Sequence, residues 1–262
     1  MNQARPFGED AGRRDEDPAI HAQLSTLREQ QERLFEQMQS GQQRFKLLAR
    51  SVWRVQEDER RRLARELHDG IGQNLTALKH QLDAVALQVQ GAHELHQRVQ
   101  GALALCASTL EDTRALSRLL RPQILDDLGL EAALRWLARS VGESADFQTE
   151  VDVVDLPEPL DPELSTLCFR VAQEGLTNAA RHAKARHVLI RLSGREHALT
   201  LLVADDGVGC DPGAAFARSA SGASTGLGGT RERVALFGGR LQFISEPGTG
   251  TQLRVHLPLN GN

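Results

Sequence analysis

The sequence predicts two folded parts in series: an all-α helical hairpin that becomes a four-helix bundle by dimerising, then an α/β layer domain. Three observations carry this. An apolar stripe at steps of three and four runs from Leu48 to Val85, a second lies between Leu95 and Leu116, and after Val141 strand-like alternation begins.

The elements follow in chain order. Residues 1–18 mix Arg, Asp, Glu, Gly and Pro and read as a disordered tail, neither a signal peptide nor an anchor. Residues 19–43 read as a coiled-coil or signalling helix, with Leu24, Leu27, Leu34 and Met38 at helical spacing and Gly41 as a break. The next helix carries Leu48, Val52, Val55, Glu59, Leu63, Leu67, Ile71, Leu75, Leu78, Leu82 and Val85, and only Glu59 interrupts the apolar stripe. Such a stripe needs a partner, and the predicted helix Glu94–Leu120 supplies Leu95, Val99, Leu103, Cys106, Leu110 and Leu116 after a loop near Gly91. Two helices alone make too little core, so the hairpin predicts a homodimer.

Arg121-Pro122 ends that helix, and a short amphipathic helix over Leu130–Val141 closes a helical domain assigned to residues 44–142. Residues 143–262 form the second domain. Strands are predicted over 147–154, 187–192, 199–204, 241–245 and 252–257, with a helix over 162–181 and a Gly-, Ser- and Ala-rich loop over 207–230. Alternation of strands and helices predicts α/β layers.

Composition narrows the class. With 262 residues, 40% hydrophobic and 25% charged, the chain has the make-up of an ordinary globular protein. A net charge of −4 gives no overall bias toward nucleic acid. The basic run Arg60, Arg61, Arg62 and Arg65 is matched by Glu57, Asp58, Glu59, Glu66 and Asp69, so it reads as a solvated helix face without direct nucleic-acid binding. Cys106, Cys168 and Cys210 form no C-x-x-C pair, which suits a reducing cytosol, and no apolar run reaches membrane-spanning length. The expected location is cytoplasmic.

Four clusters carry chemistry. The first centres on Glu66-Leu67-His68-Asp69-Gly70-Ile71-Gly72-Gln73. His68 follows a core position, so it should face solvent, where an imidazole nitrogen is a competent nucleophile toward phosphorus. Asp69 is placed to hydrogen-bond the ring or take its proton. Gly70 and Gly72 each cost a helix about 1 kcal/mol relative to Ala, which makes sense where a nucleotide or protein must come close. An exposed histidine on a solvated helix is otherwise unremarkable, and only the remaining clusters give it meaning.

The second cluster is Glu174-Gly175-Leu176-Thr177-Asn178-Ala179-Ala180-Arg181-His182-Ala183-Lys184. Asn178 offers a neutral oxygen of the type Mg²⁺ accepts, and Arg181, His182 and Lys184 are suited to phosphates. A polar helix end with cations favouring the helix dipole reads equally well. The third, Asp205-Asp206-Gly207-Val208-Gly209, follows a strand, where a carboxylate can accept from the amino group of adenine and glycines let backbone pass the base. The fourth, Ser224-Thr225-Gly226-Leu227-Gly228-Gly229-Thr230, leads into a helix whose N–H groups suit phosphates.

In this order and spacing the four clusters resemble the histidine kinases, in the subfamily partnered with LuxR/NarL-type response regulators. Its phosphoacceptor box, Glu-Leu-His-Asp-x-x-x-Gln, is matched over 66–73, and its interdomain junction by Arg121-Pro122-Gln123-Ile124-Leu125-Asp126-Asp127-Leu128-Gly129-Leu130. The resemblance covers about residues 44–258 and implies a two-layer sandwich of Bergerat type after the dimerising hairpin. It implies His68 as phosphoacceptor, Asp69 as its acid–base partner, Gln73 for regulator dephosphorylation and Glu174 near the transferring phosphate. Asn178 would hold Mg²⁺ and Asp205 would read adenine of ATP. Arg181, His182, Lys184, Gly207, Gly209, Thr225, Gly226, Leu227, Gly228 and Thr251 would complete the nucleotide site. The implied partners are a second copy and the receiver domain of a regulator with LuxR-type DNA-binding output.

Ser224 stands where the family lid carries glycine, and Thr230 where methionine is common. These departures sustain an alternative, a degenerate kinase acting as nucleotide-binding scaffold. An ATPase of the same nucleotide-binding superfamily would share the last three clusters but not the His68 box.

Overall fold

A computed structural model describes residues 18–89, 91–120, 123–157, 159–195, 197–220 and 226–259. The predicted tail at 1–17, the Arg121-Pro122 helix stop, and Ser224 and Thr225 of the glycine-rich loop lie outside the described residues. The chain divides into two compact units, Met1–Leu48 and Ala49–Asn262.

Helix α1 runs from Pro18 to Glu66. Gly41 therefore does not break it, because one glycine costs about 1 kcal/mol and the flanking Gln, Arg, Lys and Leu residues are good helix formers. In the first unit Leu27, Leu34, Phe35, Met38 and Phe45 all stand exposed.

In the second unit α1 passes into a π-helical turn, Leu67–Gly72, and continues as α2, Gln73–Gln88. Helix α3, His93–Leu120, returns alongside. The hairpin is joined by Ser117 Oγ donating to the Ala64 carbonyl at 3.0 Å and Cys106 Sγ to the Leu75 carbonyl at 3.3 Å. Ala64, Ala86, Val99, Cys106 and Leu110 are buried between them. Leu63, Ile71, Leu78 and Val85 from the predicted stripe remain exposed, as does Leu116.

Two helices, α4 (Gln123–Asp127) and α5 (Gly129–Ala145), lead into the second layer system. Sequence periodicity foresees α5 but not the five-residue α4. Strands β1 (Gln148–Val154), β2 (His187–Arg195), β3 (Ala198–Asp205), β4 (Arg240–Ser245) and β5 (Thr251–Pro258) form one sheet in the order β1-β2-β3-β5-β4. The β1–β2 pair is parallel and the others are antiparallel.

Alternation places Val188, Ile190 and Leu192, Leu199, Leu201 and Val203, and Leu253, Val255 and Leu257 on one buried face. That face packs on α5 and on α6, Pro162–Asn178, through Leu134, Leu167, Val171 and Leu176. Pro162 opens α6 and Asp161 caps it, its carboxylate accepting from the Glu163 N–H at 2.7 Å. A second π-helical turn, Ala179–Ala183, ends this helix, and Lys184 leaves it in the left-handed region at φ 52°.

The segment 207–230 is not a single loop. It contains α7, Pro212–Ala220, and the start of α8, Gly226–Leu236. Helix α7 is seated by Phe216 against Phe243, ring centroids 5.7 Å apart. The result is a helical N-terminal region followed by a sheet covered on one face by helices.

Candidate functional site

A cavity of about 750 Å³ lies between α6, its π-turn, the end of β3 and the start of α8. Its walls bring together Glu174, Asn178, Arg181, His182, Asp205, Gly209, Gly226 and Leu227, drawn from all three predicted C-terminal clusters, with Thr251 of β5. Lys184, Gly207 and Gly228 are not among its wall residues. Lys184, the left-handed residue that ends the π-turn, is exposed, whereas Gly207 is buried against the Ala183 carbonyl.

At one end, Asp205 is half-buried at the tip of β3. Burial raises its pKa, against hydrogen bonds from the Gly207 and Thr251 backbones and the Thr251 hydroxyl. Its Oδ1 accepts from the Gly207 N–H at 2.9 Å. Neighbouring Asp206 faces the other way. It accepts from the Arg186 and His187 N–H groups at 2.7 and 2.9 Å and meets the His187 ring at 3.0 Å. Of the two adjacent carboxylates, only Asp205 lines the cavity. Gly209 adopts φ 61°, and a Cβ there would stand 2.0 Å from the Glu246 carbonyl oxygen, so glycine is required on both counts.

At the other end Glu174 Oε1 accepts from Asn178 Nδ2 at 2.9 Å, one helical turn apart. This orients the Asn178 amide and leaves its carbonyl oxygen for a cation. The Glu174 carboxylate presses on Gly226, where a Cβ would fall 2.0 Å from Oε1. The N-terminus of α8 therefore meets the Glu174 carboxylate directly. Among the described residues, no group of three or more His, Cys, Asp or Glu side chains is placed to hold a metal. An Asn–Glu pair beside a phosphate site nevertheless fits Mg²⁺, which takes few protein oxygens and completes its shell with phosphates and water.

Val203, Cys210, Ala215, Phe243 and Leu253 also line the walls and are not singled out from sequence. Strand alternation marks Val203 and Leu253 as inward-facing. Nothing local marks Cys210 or Ala215, which depend on α7.

His68 lies elsewhere, exposed on the π-turn of the hairpin. It lines a groove of about 390 Å³ with Gln73, Thr76, His80, Arg114 and Ser117. Asp69 is exposed and is not a wall residue of that groove. The wall residues of the groove and of the larger cavity do not overlap. Both histidine-bearing clusters, at 67–72 and 179–183, carry a π-turn, a distortion frequent at functional positions.

Comparisons with known proteins accord with this geometry. A family model described as histidine kinase matches residues 59–125. A model described as histidine kinase-, DNA gyrase B- and HSP90-like ATPase matches residues 164–261. The sensor histidine kinase MctS of Rhizobium johnstonii is 34% identical over 230 residues, covering 87% of this chain and 49% of that protein. The oxygen sensor histidine kinase NreB of Staphylococcus carnosus is 33% identical over 207 residues, covering 78% of this chain and 58% of that protein. The chain thus spans about half the length of the curated relatives it matches. The histidine kinase domain of the Erythrobacter litoralis EL346 blue-light activated kinase aligns at a TM-score of 0.44 and 23% identity, over 71% of this chain and 94% of that one. With these two models matched over residues 59–125 and 164–261, the chain belongs to the histidine kinase family.

Proposed function

We propose that the chain is a two-component sensor histidine kinase that phosphorylates its own His68 from ATP and passes the phosphoryl group to an aspartate of a NarL-type response regulator. The carrying observation is the coexistence of an exposed His68 on a helical hairpin with a cavity walled by Glu174, Asn178, Asp205 and Gly226. The phosphoacceptor domain is assigned to 44–142 and the catalytic domain to 143–262, working in the cytoplasm as a dimer. Unburied Leu63, Ile71, Leu78 and Val85 on the hairpin support the dimer. Among the described residues no helix is long and apolar enough to cross a membrane.

In this reading Asp205 accepts from the adenine amino group. Asn178, oriented by Glu174, would hold Mg²⁺, which neutralises phosphate charge when bound. An imidazole nitrogen of His68 attacks the γ-phosphorus in line. The new N–P bond forms as the bond to the bridging oxygen breaks, ADP leaves with the electron pair, and the ring proton passes to Asp69 or solvent. His68 and the nucleotide cavity have separate walls, so the catalytic domain must move before transfer.

A pulse–chase experiment tests the second half of the cycle. Chain labelled with γ-³²P-ATP should transfer its label within minutes to a purified NarL-type receiver domain and not to one whose acceptor aspartate is changed to asparagine. A labelled chain that transfers to no NarL-type receiver would remove the regulator assignment.

A further inference from the structure

A second cavity, about 450 Å³, adjoins the nucleotide cavity and shares Glu174, Thr177 and Gly226 with it. Beyond that shared wall it is lined by three guanidinium groups, Arg60, Arg170 and Arg233, against two carboxylates, Glu57 and Glu174. Both carboxylates already have partners. Glu57 pairs with Arg170 at 2.7 Å and with Arg60 at 2.9 Å, and Glu174 accepts from Asn178.

Arg233 differs from Arg60 and Arg170 in that, among the described residues, no carboxylate lies within ion-pair distance of it. It is half-buried on α8 and donates to the neutral Thr230 Oγ1 at 3.1 Å. Burial lowers its pKa; Glu174 opposes this, Arg60 adds to it, and Glu57 and Glu232 oppose it more weakly. A partly desolvated guanidinium facing further arginines is a site that an anion stabilises.

The local sequence holds the guanidinium in place. Side chains on a helix lean toward its N-terminus, so Arg233 folds back over the first turn of α8. Gly229 leaves it room, since a Cβ there would approach Nη1 to 3.1 Å. Thr230, the residue that departs from the common methionine, is buried and links the two ends. Its hydroxyl donates to the Gly226 carbonyl at 2.8 Å and accepts from Arg233.

We propose that Arg233, anchored by Thr230 and assisted by Arg60, forms a subsite for the terminal phosphate of ATP and so discriminates ATP from ADP. This rests on the larger cavity being the nucleotide site. In that reading the base would lie toward Asp205 and the phosphates toward Gly226, with the arginine-lined cavity adjoining across the shared wall of Glu174, Thr177 and Gly226.

The test is titration calorimetry of the full chain with Mg-ATP and Mg-ADP. The unmodified chain should bind ATP more tightly than ADP. Arg233→Gln should lower ATP affinity about tenfold or more, the weight of a charge-assisted contact, and leave ADP affinity within about twofold. Arg60→Gln and Thr230→Met should each reduce the ATP-to-ADP ratio by a smaller factor. Arg231→Gln, on the same helix but stacked 4.7 Å over Phe216, should leave the ratio unchanged. Retained ADP binding certifies folding in every variant. An Arg233→Gln chain with the parent ratio, or with both nucleotides weakened equally, overturns the proposal. So does an Arg231→Gln effect of equal size, which would mean general charge. A parent chain that binds neither nucleotide would instead sink the nucleotide reading itself.

Discussion

Glu57 and Arg170 form a buried ion pair between the helical hairpin and α6, 113 residues apart in sequence. The carboxylate accepts from Nε at 3.1 Å and Nη2 at 2.7 Å, and the two residues are only 5% and 8% exposed. Arg170 also donates to Gln173 at 2.8 Å and to the Leu120 carbonyl. Beside this pair Trp53 meets Phe237 edge-on with centroids 5.1 Å apart, and Arg50 lies 4.3 Å over the same Phe237 ring. Arg50 and Arg54 both bind Glu163. This seam joins α1 to α6 and Phe237, while His68 and the larger cavity keep separate walls.

Removing one partner of a buried pair leaves the other charge unsatisfied, at a cost of about 3 kcal/mol or more. Glu57→Gln should therefore loosen the seam. In a Trp136→Phe background the emission of Trp53 should shift to the red as Phe237 withdraws. Emission that stays at the parent wavelength would show that the pair does not hold the seam.

Gly226 and Gly70 should respond oppositely to alanine. A Cβ at Gly226 collides with the Glu174 carboxylate, whereas a Cβ at Gly70 meets nothing within 4 Å. Gly226→Ala should weaken Mg-ATP binding about tenfold, a displacement of one charge-assisted contact, and Gly70→Ala should leave it unaltered. Equal effects in equilibrium binding would contradict the placement of Glu174 against Gly226.

The hairpin should dimerise through the apolar side chains that one copy leaves exposed, Leu63, Ile71, Leu78 and Val85. Leu78→Asp would put a charge into that contact, and sedimentation equilibrium should then give the monomer mass at micromolar concentration. A parent chain that already sediments as a monomer would refute the bundle.

The Asp206 carboxylate is held at about 2 by hydrogen bonds from the His187 backbone and ring and from the Arg186 backbone. Its folded value lies below the ordinary 3.8, so its stabilisation is complete above that value and is lost as pH falls from 3.8 toward about 2. Asp206→Asn should lower the urea midpoint at neutral pH and flatten its fall across that acid window. A variant whose midpoint falls as steeply as the parent's would exclude the contribution.

Much of this architecture is legible locally. Apolar spacing marks the hairpin helices, because a helix face repeats within a few residues, and strand alternation marks the buried side of the sheet. The distinction between Asp205 and Asp206 depends on strand orientation, which adjacent residues do not state. Glu59 draws notice as the break in the apolar stripe, yet it is exposed and simply pairs with Arg62 at 2.6 Å. The buried acid is Glu57, whose burial depends on a partner 113 positions away. Helix α7 was hidden for a similar reason, since its Ala-, Gly- and Ser-rich sequence is helical through the Phe216–Phe243 contact rather than through periodicity. The π-turns leave no pattern in side-chain spacing over five or six residues.

The central claim is tested most directly by incubating the chain with γ-³²P-ATP and Mg²⁺ beside His68→Gln and Asn178→Ala variants. The account predicts acid-labile, base-stable label on the parent and none on either variant, with ADP still bound by His68→Gln at parent affinity. Label that persists after His68 is replaced would contradict the assignment of the nucleophile, and a parent that binds ATP but never takes label would favour a nucleotide-binding scaffold.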